Sequence, residues 1–423
     1  KMYSRIKSVV TTHTFRQSVI TVVSTFGTAG LGAVFYLLLA RTIGTHEFGL
    51  FSVAVSILTL LVSFADLGMG QGLVKFVAEN SRNNAYLPFA KIAIQTKLAI
   101  GIFFCLILWV FSQPIGNFIL HQPEVTPLLP IVGFGIFAIL LFGLATYIFQ
   151  GQQKFILWGG TQFGANFFRL ILFGLLFLVI KIDSYWGLIL FASAPLFGFL
   201  ISIIWLPLIN ITKAKVTKEQ FQKFWHFNKW TAAFTITGSL SSRIDTLLTA
   251  RFLTLSDTGV YSLAVTMVAF LPQFASALGA VTAPKFASFT DSTHSSRYLF
   301  KAGLFSLGTS LMVALVMIPT ALVVLWFTGR DFSAAFAPFL ILLASLTLFT
   351  SLNPLRDSIL YFYKQPQFFF WVNLIQAVVL VVFSFLLTPK FGVIGTATAV
   401  LISHIVFAVI NIWKYENCRA HLS

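Results

Sequence analysis

A polar stripe runs along one predicted helix of an otherwise apolar chain. Gln162, Asn166 and Arg169 recur at spacings of four and three residues, which places them on one helical face. Arg169 lies about 21 Å along the helix that begins at Phe155, near the middle of a bilayer. Its planar guanidinium could donate two parallel hydrogen bonds to a phosphate group. We expect a phosphate-binding cavity here; the alternative is a structural arginine satisfied by carbonyls or a carboxylate of a neighbouring helix.

Arg243 and Asp245 are two further charges within an apolar segment. Their spacing of two residues places them on nearly opposite helical faces, so they are not expected to pair with each other. One polar face of this helix comprises Gly238, Ser241, Ser242, Asp245 and Thr249. We therefore predict that Asp245 lines a cavity, where it could bind a coupling proton or sodium ion. The alternatives are an ion pair of Asp245 with Arg169 or Arg251 and, for Arg243, phosphate binding or extension to the membrane surface.

A group of charged residues borders the ends of predicted helices on one side of the membrane: Asp66, Lys75, Lys285, Arg356 and Asp357. A basic rim would be the first part of the protein to meet an anionic headgroup, so we assign these residues to a cytoplasmic mouth or gate. The alternative is that they only set the topology. His404, beside Ser403 in an apolar segment, is favoured as a neutral hydrogen-bonded histidine over a proton relay.

The composition places these residues in a membrane protein. Of the 423 residues, 57% are hydrophobic and 9% are charged, against about 45–50% and about 25% in soluble domains. So few ionic side chains cannot form the charged surface of a soluble fold of this length. The mean hydropathy of +0.89 likewise indicates a bilayer.

Twelve apolar segments are long enough to cross about 30 Å of hydrocarbon. They are residues 17–40, 48–67, 92–111, 126–149, 155–180, 185–209, 230–252, 259–283, 300–327, 335–352, 368–387 and 392–413. We predict an all-α polytopic membrane protein with twelve transmembrane helices. The loops are too short for an extramembrane catalytic domain, and no metal-binding or nucleophilic motif is present, so we expect neither an enzyme nor a cofactor.

The basic residues predict the orientation. With the N-terminus in the cytoplasm, 21 of the 28 Lys and Arg residues fall in cytoplasmic segments, including the stretch from Lys75 to Lys97, and five fall on the opposite side. We expect a multi-pass protein of the cytoplasmic (inner) membrane with both termini in the cytoplasm. Loops that face an anionic leaflet account for the net charge of +16, so we expect membrane lipids and no nucleic acid as partners.

An internal repeat relates the two halves of the chain. At an offset of 210, residues 40–55 and 250–265 align without a gap and share six identities. At an offset of 213, Phe149, Gln152, Phe155 and Trp158 meet Phe362, Gln365, Phe368 and Trp371. The repeat unit is six helices, so both halves share one orientation about a pseudo-twofold along the membrane normal. We predict an N-lobe at 1–212 and a C-lobe at 213–423; repeat symmetry without transport is the alternative to a substrate site between them.

The repeat places two arginines at equivalent corners. Arg41 is followed six residues later by Glu47, and Arg251 is followed six residues later by Asp257. Equivalent corners favour a structural role, with attraction of a phosphorylated ligand as the alternative.

The glycine run at 68–72, GMGQG, resembles a dinucleotide-binding loop only superficially. No strand precedes it, and no βαβ unit can form among membrane helices. We predict a flexible turn at the end of a helix.

Short motifs follow one another along the chain and lie in both halves: LAR at 39–41, EFGLFS at 47–52, ADLG at 65–68, QGQQKF at 150–155, DTLL at 245–248 and GVYSLA at 259–264. With these motifs the chain resembles the polysaccharide-biosynthesis, or Wzx-type, flippases of the multidrug/oligosaccharidyl-lipid/polysaccharide (MOP) exporter superfamily. The resemblance implies two six-helix lobes and places Asp245 at the position of the family's aspartate.

The resemblance also implies a function. The implied substrate is an oligosaccharide on a polyprenyl diphosphate, such as an O-antigen, capsule or exopolysaccharide repeat unit, moved to the outer leaflet by alternating access. The implied partners are this lipid, membrane lipids and other polysaccharide-assembly proteins.

Two other classes of function are the alternatives to this one. A cation-coupled multidrug antiporter of the same superfamily would need cavity carboxylates, whereas the predicted membrane interior offers Arg169, Arg243 and one acid, Asp245. A membrane polymerase or glycosyltransferase would be expected to have a large outer loop or clustered acids, and neither is present.

Overall fold

The computed structural model describes residues 13–80, 84–273 and 291–420, with 282, 283, 285, 286, 288 and 289 between the last two ranges. The long helices are α1 (His13–Ala65), α2 (Met69–Asn80), α3 (Leu87–Val110), α4 (Leu129–Gly151), α5 (Phe155–Val179), α6 (Ser184–Ser202), α7 (Lys218–Phe252), α8 (Leu255–Val268), α9 (Ser292–Thr328), α10 (Phe336–Ser351) and α11 (Pro366–Ala420). Short helical segments lie at Ser112–Pro114, Ile115–Ile119, Pro123–Leu128, Ile203–Trp205, Leu208–Lys213, Arg330–Ala335, Asn353–Asp357 and Ser358–Phe362. The described residues contain no strand, so the predicted all-α class is confirmed.

Nine helical stretches of the described chain are long and apolar enough to cross a membrane. Two of them, with 46 residues in α1 and 54 in α11, far exceed the roughly 20 residues that one crossing needs. Each contains one glycine in the left-handed region, Gly44 (φ 76°) in α1 and Gly392 (φ 60°) in α11. A side chain would strain the backbone at these φ values, so glycine lets α1 bend between two predicted crossings and α11 bend at the start of the last one.

Helix α7 is longer than its predicted crossing. It runs for 35 residues from Lys218, whereas the apolar segment begins at residue 230. At 1.5 Å per residue the helix is about 52 Å long, which exceeds about 30 Å of hydrocarbon. Its polar first part, which carries Lys218, Glu219 and Lys223, therefore extends beyond the hydrocarbon layer.

The described residues form two compact units. Unit 1 contains the described parts of residues 1–36, 57–119 and 123–236, and unit 2 contains those of residues 37–56, 120–122 and 237–423. Helices α1 and α7 therefore contribute residues to both units.

In unit 1, α4 packs against α2, α3, α5 and α6. An aromatic cluster joins α2, α3 and the first part of α7. The ring of Phe76 stacks on that of Phe89 with centroids 4.4 Å apart, and the ring centroid of Phe224 lies 5.7 Å from that of Phe76. All three side chains are buried, so the polar start of α7 is held by an apolar core.

In unit 2, α1 and α8 cross at two glycines that the internal repeat aligns. A Cβ atom on Gly49 would lie 1.9 Å from the carbonyl oxygen of Leu255, and one on Gly259 would lie 2.0 Å from that of Thr45. The offset of 210 aligns Gly49 with Gly259 and Thr45 with Leu255. The contact is therefore reciprocal, as a local twofold axis requires.

Replacing either glycine by alanine is expected to force α1 and α8 apart, because the new methyl group would overlap a backbone carbonyl. We expect Gly49→Ala and Gly259→Ala each to lower the free energy of unfolding by about 1–3 kcal/mol, measured by unfolding in detergent. Gly308→Ala in α9 is the matched control, since a Cβ there meets nothing within 4 Å. Equal stability of all three variants would contradict the close crossing.

Candidate functional site

Arg169 lies inside unit 1, between two aromatic rings. The residue is 5% exposed. Its Cζ atom lies 4.3 Å from the ring centroid of Phe35 on α1 and 5.4 Å from that of Phe191 on α6. The Nη2 atom donates a hydrogen bond to Asn166 Oδ1 at 2.5 Å. Cation–π attraction and one amide therefore hold the guanidinium in place.

The charge of Arg169 is not balanced within this unit. Among the described residues no carboxylate forms an ion pair with it, and its Nε atom is buried without a hydrogen-bond partner. A buried cation without a counter-charge is costly. An anion placed here would supply both the missing charge and an acceptor for the Nε proton.

The polar stripe of α5 is held by hydrogen bonds along its own helix. Asn166 Nδ2 donates to the carbonyl of Gln162 at 2.9 Å, and Gln162 Nε2 donates to the carbonyl of Trp158 at 3.1 Å. Gln162 and Asn166 are partly exposed, whereas Arg169 is buried. The two amides therefore lie on the same helical face as the guanidinium, and their part in binding a substrate stays a prediction.

A second buried cation, Lys97, was missed by sequence reasoning, which assigned it only to topology. Lys97 on α3 is fully buried, and its Nζ atom donates to Asp66 Oδ1. The same Nζ atom lies 5.4 Å from the ring centroid of Tyr147 on α4. The available signal was a lone lysine inside the apolar segment 92–111, where charges pair or face a cavity.

Asp66 also shapes the backbone at the end of α1. Its Oδ2 atom accepts a hydrogen bond from the backbone nitrogen of Gly70 at 3.0 Å, in the first turn of α2. The next two residues, Leu67 (φ 47°) and Gly68 (φ 66°), are left-handed and separate α1 from α2. The carboxylate therefore caps α2 and binds Lys97 at the same time.

The predicted turn at the end of a helix is found at Gly68, which follows α1, but is wrong for residues 69–72, which belong to α2. A Cβ on Gly68 would lie 2.4 Å from the backbone nitrogen of Ala232 on α7, and one on Gly72 would lie 2.0 Å from Asn228 Oδ1 on the same helix. Close packing of α2 on α7 explains these glycines, and sequence reasoning could not find it without the partner helix.

Asp245 is buried in unit 2 within a network of hydroxyl groups. Its Oδ2 atom accepts from Tyr261 Oη at 2.7 Å, and its Oδ1 atom accepts from the backbone nitrogen of Thr246 at 2.7 Å. Thr249 Oγ1 donates a hydrogen bond to the backbone carbonyl of Asp245, at 2.8 Å, and lies within hydrogen-bond distance of Thr396 Oγ1, at 3.2 Å. No described basic side chain of this unit forms an ion pair with the carboxylate.

Two other members of this polar face have different surroundings. Arg243 is partly buried and makes no ion pair with Asp245 in the described chain. A Cβ on Gly238 would meet nothing within 4 Å. The side chains of Ser241 and Ser242 lie outside the described residues.

The corner residues contact other helix ends of unit 2. Arg41 Nη1 donates to the carbonyl of Phe327 near the end of α9 at 2.7 Å, and Cζ lies 4.6 Å from that ring centroid. Arg251 Nη1 lies 2.9 Å from His121 Nδ1. Asp257 forms a capping box with Thr254 at the start of α8. These contacts stabilise helix ends, while Glu47 is partly buried at the same corner as Arg41.

The residues predicted at a cytoplasmic mouth come from both compact units. Lys75 lies in unit 1, with Nζ 4.1 Å from the ring centroid of Phe227 and 4.0 Å from Glu79 Oε1. Lys285 lies in unit 2, with Nζ 4.5 Å from the ring centroid of Tyr298. Each lysine is therefore held by a local aromatic contact.

Arg356 lies in unit 2 among three aromatic rings. Its Cζ atom is 4.9, 5.5 and 6.0 Å from the ring centroids of Phe349, Phe407 and Phe369. Its Nη1 atom donates to Asn353 Oδ1 at 3.2 Å. The surroundings of Arg169 and Arg356 are alike. Each guanidinium lies near aromatic rings and donates to an asparagine three residues earlier in the chain, and each has a buried Nε atom without a hydrogen-bond partner.

The neighbours of Arg356 are engaged with hydroxyl groups. Asp357 Oδ2 accepts a hydrogen bond from Thr282. His404 Nδ1 lies 2.6 Å from Ser345 Oγ, while Ser403 Oγ donates to the carbonyl of Val400. The described residues contain no group of three His, Cys, Asp or Glu side chains that could hold a metal ion.

The chain is similar in sequence to proteins of polysaccharide biosynthesis. The sequence profile of the polysaccharide biosynthesis protein family matches residues 15–290. The lipopolysaccharide biosynthesis protein WzxC of Escherichia coli (strain K12) is 24% identical over 282 residues. That alignment covers 64% of this chain and 54% of WzxC, so the chain spans about half the length of this relative.

The fold is similar to those of two solved transporters. The lipid II flippase MurJ, in an inward closed conformation, has a TM-score of 0.76 at 17% identity, over 94% of this chain and 87% of MurJ. A multidrug resistance MATE family transporter of the MOP superfamily, in an inward-facing conformation, also has a TM-score of 0.76, at 12% identity, over 93% of this chain and 94% of that protein. The TM-scores show a shared fold, and the low sequence identities do not distinguish a lipid flippase from a multidrug transporter.

Removing the hydroxyl group of Tyr261 is expected to leave Asp245 Oδ2 without its donor. We expect Tyr261→Phe to lower the free energy of unfolding in detergent by about 1–3 kcal/mol, the cost of a buried acceptor left unsatisfied. Tyr361→Phe is the matched control, because Tyr361 is 40% exposed. The hydrogen bond would be refuted if the two variants unfolded alike.

Proposed function

Because the chain belongs to the polysaccharide biosynthesis protein family, we propose that it is a flippase for a polyprenyl-diphosphate-linked oligosaccharide. The substrate would be a repeat unit of O-antigen, capsule or exopolysaccharide, turned from the cytoplasmic to the outer leaflet. The resemblance to Wzx-type flippases of the MOP superfamily is confirmed by the family match, by WzxC and by the fold shared with MurJ and MATE. MurJ is a flippase and the MATE protein is a transporter, and the proposal likewise contains no catalytic step.

The observation that carries this proposal is the unbalanced charge of Arg169. A transporter of anionic lipid needs a cation inside the membrane that the protein itself does not neutralise. Arg169 has no carboxylate partner in the described part of unit 1 and keeps a buried Nε proton without an acceptor. The diphosphate of the substrate would provide two phosphate groups for its forked donors. Asn166, Gln162 and Arg243 are the further polar groups proposed to bind the substrate.

The twelve-helix plan is part of the proposal. The nine apolar stretches become eleven crossings if the bends at Gly44 and Gly392 each separate two, and α7 supplies the twelfth. Alternating access would then arise from the two lobes at 1–212 and 213–423, rocking about a central cavity. Asp66, Lys75, Lys285, Arg356 and Asp357 would border its cytoplasmic mouth.

A multidrug antiporter is the second candidate. One observation favours it, namely that the MATE transporter matches this fold with the same TM-score as MurJ. Its mechanism would use Asp245 as the acidic group that binds a proton or sodium ion. The flippase is preferred because the family match and WzxC come from polysaccharide and lipopolysaccharide biosynthesis. Other polysaccharide-assembly proteins would then be its partners.

Flipping is tested in liposomes that contain the purified protein and fluorescent undecaprenyl-diphosphate oligosaccharide. Arg169→Ala is expected to slow leaflet exchange about 10- to 100-fold, since a hydrogen bond to a charged group contributes about 1.5–3 kcal/mol. Arg169→Lys keeps the positive charge but removes the forked donors of the guanidinium, so it is expected to restore only part of the rate. Arg297→Gln, at an exposed site on α9, is the control and should exchange like wild type. Cationic dye export under an ion gradient, without lipid exchange, would establish the antiporter instead.

The predicted inner-membrane orientation is tested through Cys418. The chain has two cysteines, so Cys105→Ser leaves Cys418, which is partly exposed, as the only target. With the C-terminus in the cytoplasm, an impermeant maleimide should label this variant only after the cells are permeabilised. A cysteine-free chain with Lys390→Cys, in a loop predicted on the opposite side, should be labelled in intact cells. The reverse pattern would invert the proposed topology.

A further inference from the structure

A partly exposed guanidinium lies in the connection between two predicted crossings of unit 2. Arg356 belongs to the short helix Asn353–Asp357, between the apolar segments 335–352 and 368–387. The predicted topology puts this connection on the cytoplasmic side. We therefore expect the guanidinium at the depth of the lipid headgroups rather than in the hydrocarbon core. The anions found at that depth are the phosphate groups of lipids.

The hydrogen-bond donors of Arg356 are only partly used. Its Nη1 atom donates to Asn353 Oδ1 at 3.2 Å. Its Nε atom is buried without an acceptor, and within the described chain no hydrogen bond engages Nη2. Nε and Nη2 lie on one edge of a guanidinium, where they form the parallel fork that can bind two oxygens of a phosphate group. Because Nη1 lies outside this edge, the bond to Asn353 leaves the whole fork available.

Aromatic rings surround the guanidinium of Arg356 without neutralising its charge. The Cζ atom lies 4.9 Å from the ring centroid of Phe349, 5.5 Å from that of Phe407 and 6.0 Å from that of Phe369. These distances leave the guanidinium room to turn and present Nε to a ligand. The rings also form apolar walls, so a charge-assisted hydrogen bond made here is stronger than one made by a fully exposed arginine.

The charges around Arg356 do not cancel. Asp357 attracts the guanidinium, but its carboxylate accepts a hydrogen bond from Thr282 and forms no ion pair with a described residue. Tyr298 on α9 interacts electrostatically with Asp357 and also carries Lys285, whose Nζ atom lies 4.5 Å from the ring centroid. Two cations against one carboxylate leave one positive charge unbalanced, which favours an anion at this end of unit 2.

We propose that Arg356 is the centre of a phosphate-binding site in unit 2, which takes the phosphate group of a lipid from the cytoplasmic leaflet. One phosphate oxygen accepts from Nη2 and a second from Nε, which gives the Nε proton its missing acceptor. Asn353 holds the guanidinium in place through Nη1. An anionic phospholipid and a polyprenyl diphosphate both carry such a group, so the inference does not depend on the proposed flippase function.

The test measures lipid binding to the protein in uncharged detergent by native mass spectrometry. Phosphatidylglycerol and undecaprenyl-diphosphate oligosaccharide are the two probes, added separately. Arg356→Gln is expected to weaken the binding of one or both probes about tenfold or more, and tenfold corresponds to about 1.4 kcal/mol. Arg356→Lys keeps the positive charge but removes the fork, so it should restore only part of the affinity.

Two further variants separate a site from general effects. Arg297→Gln makes the same charge change at an exposed position of α9 in the same unit, and it should bind both probes like wild type. Asp357→Asn keeps an acceptor for Thr282 but removes the carboxylate that attracts Arg356. We expect it to strengthen binding about two- to fivefold. A gain in affinity cannot come from a damaged fold.

The two probes identify the source of the phosphate. If Arg356→Gln loses only phosphatidylglycerol, the site binds phospholipid; if it loses only the diphosphate lipid, the site binds the transported substrate; and loss of both indicates a site for either lipid. Unchanged binding of both probes by Arg356→Gln would overturn the proposal. An equal loss in Arg297→Gln would also overturn it, because general charge attraction would then explain the binding. Failure of wild type to exchange lipid in liposomes would remove the flippase proposal and leave the result at Arg356 unaffected.

Discussion

The free-energy cost of burying an unbalanced charge away from water determines how the polar side chains of this protein are arranged. In an apolar chain with only 9% charged residues, each buried charge needs a partner, an aromatic ring or a ligand. The structure uses different solutions in different places. Lys97 is neutralised by Asp66, Arg169 is held by two rings and one amide, and Asp245 is held by hydroxyl and backbone donors. The Nε atom of Arg169 is a buried polar group without a hydrogen-bond partner. A ligand that accepts a hydrogen bond from such a group would stabilise it most.

The elements of the fold were largely predictable, because hydropathy reports directly on the thickness of the bilayer. The bend at Gly44 falls in the connection between the predicted segments 17–40 and 48–67, and the bend at Gly392 falls at the first residue of the predicted segment 392–413. The start of α7 was missed, since its residues are too polar for a crossing and it is held by the packing of its Phe224 against Phe76 and Phe89. The glycine run at 68–72 was misinterpreted for a related reason, namely that its partner helix lies far away in sequence.

The candidate site was less predictable than the fold. Helical spacing identified the stripe of Gln162, Asn166 and Arg169, because neighbours on one helix are set by geometry alone. It could not identify the rings of Phe35 and Phe191, or the pairing of Lys97 with Asp66, because those contacts join helices in three dimensions. The position of Lys97 inside the predicted segment 92–111 was the available signal, and its enclosure by other helices distinguishes it from the residues that set topology.

The reciprocal contact of Gly49 and Gly259 bears on how such a chain could arise. An interface in which each side offers the same residues to the other is isologous, the kind that identical subunits make in a symmetric dimer. A six-helix ancestor that carried this glycine could pair with a second copy of itself in parallel orientation, and duplication followed by fusion would preserve the contact within one polypeptide. The two halves would then be free to diverge everywhere except at the crossing, where a side chain on either glycine would meet a backbone carbonyl of the other half.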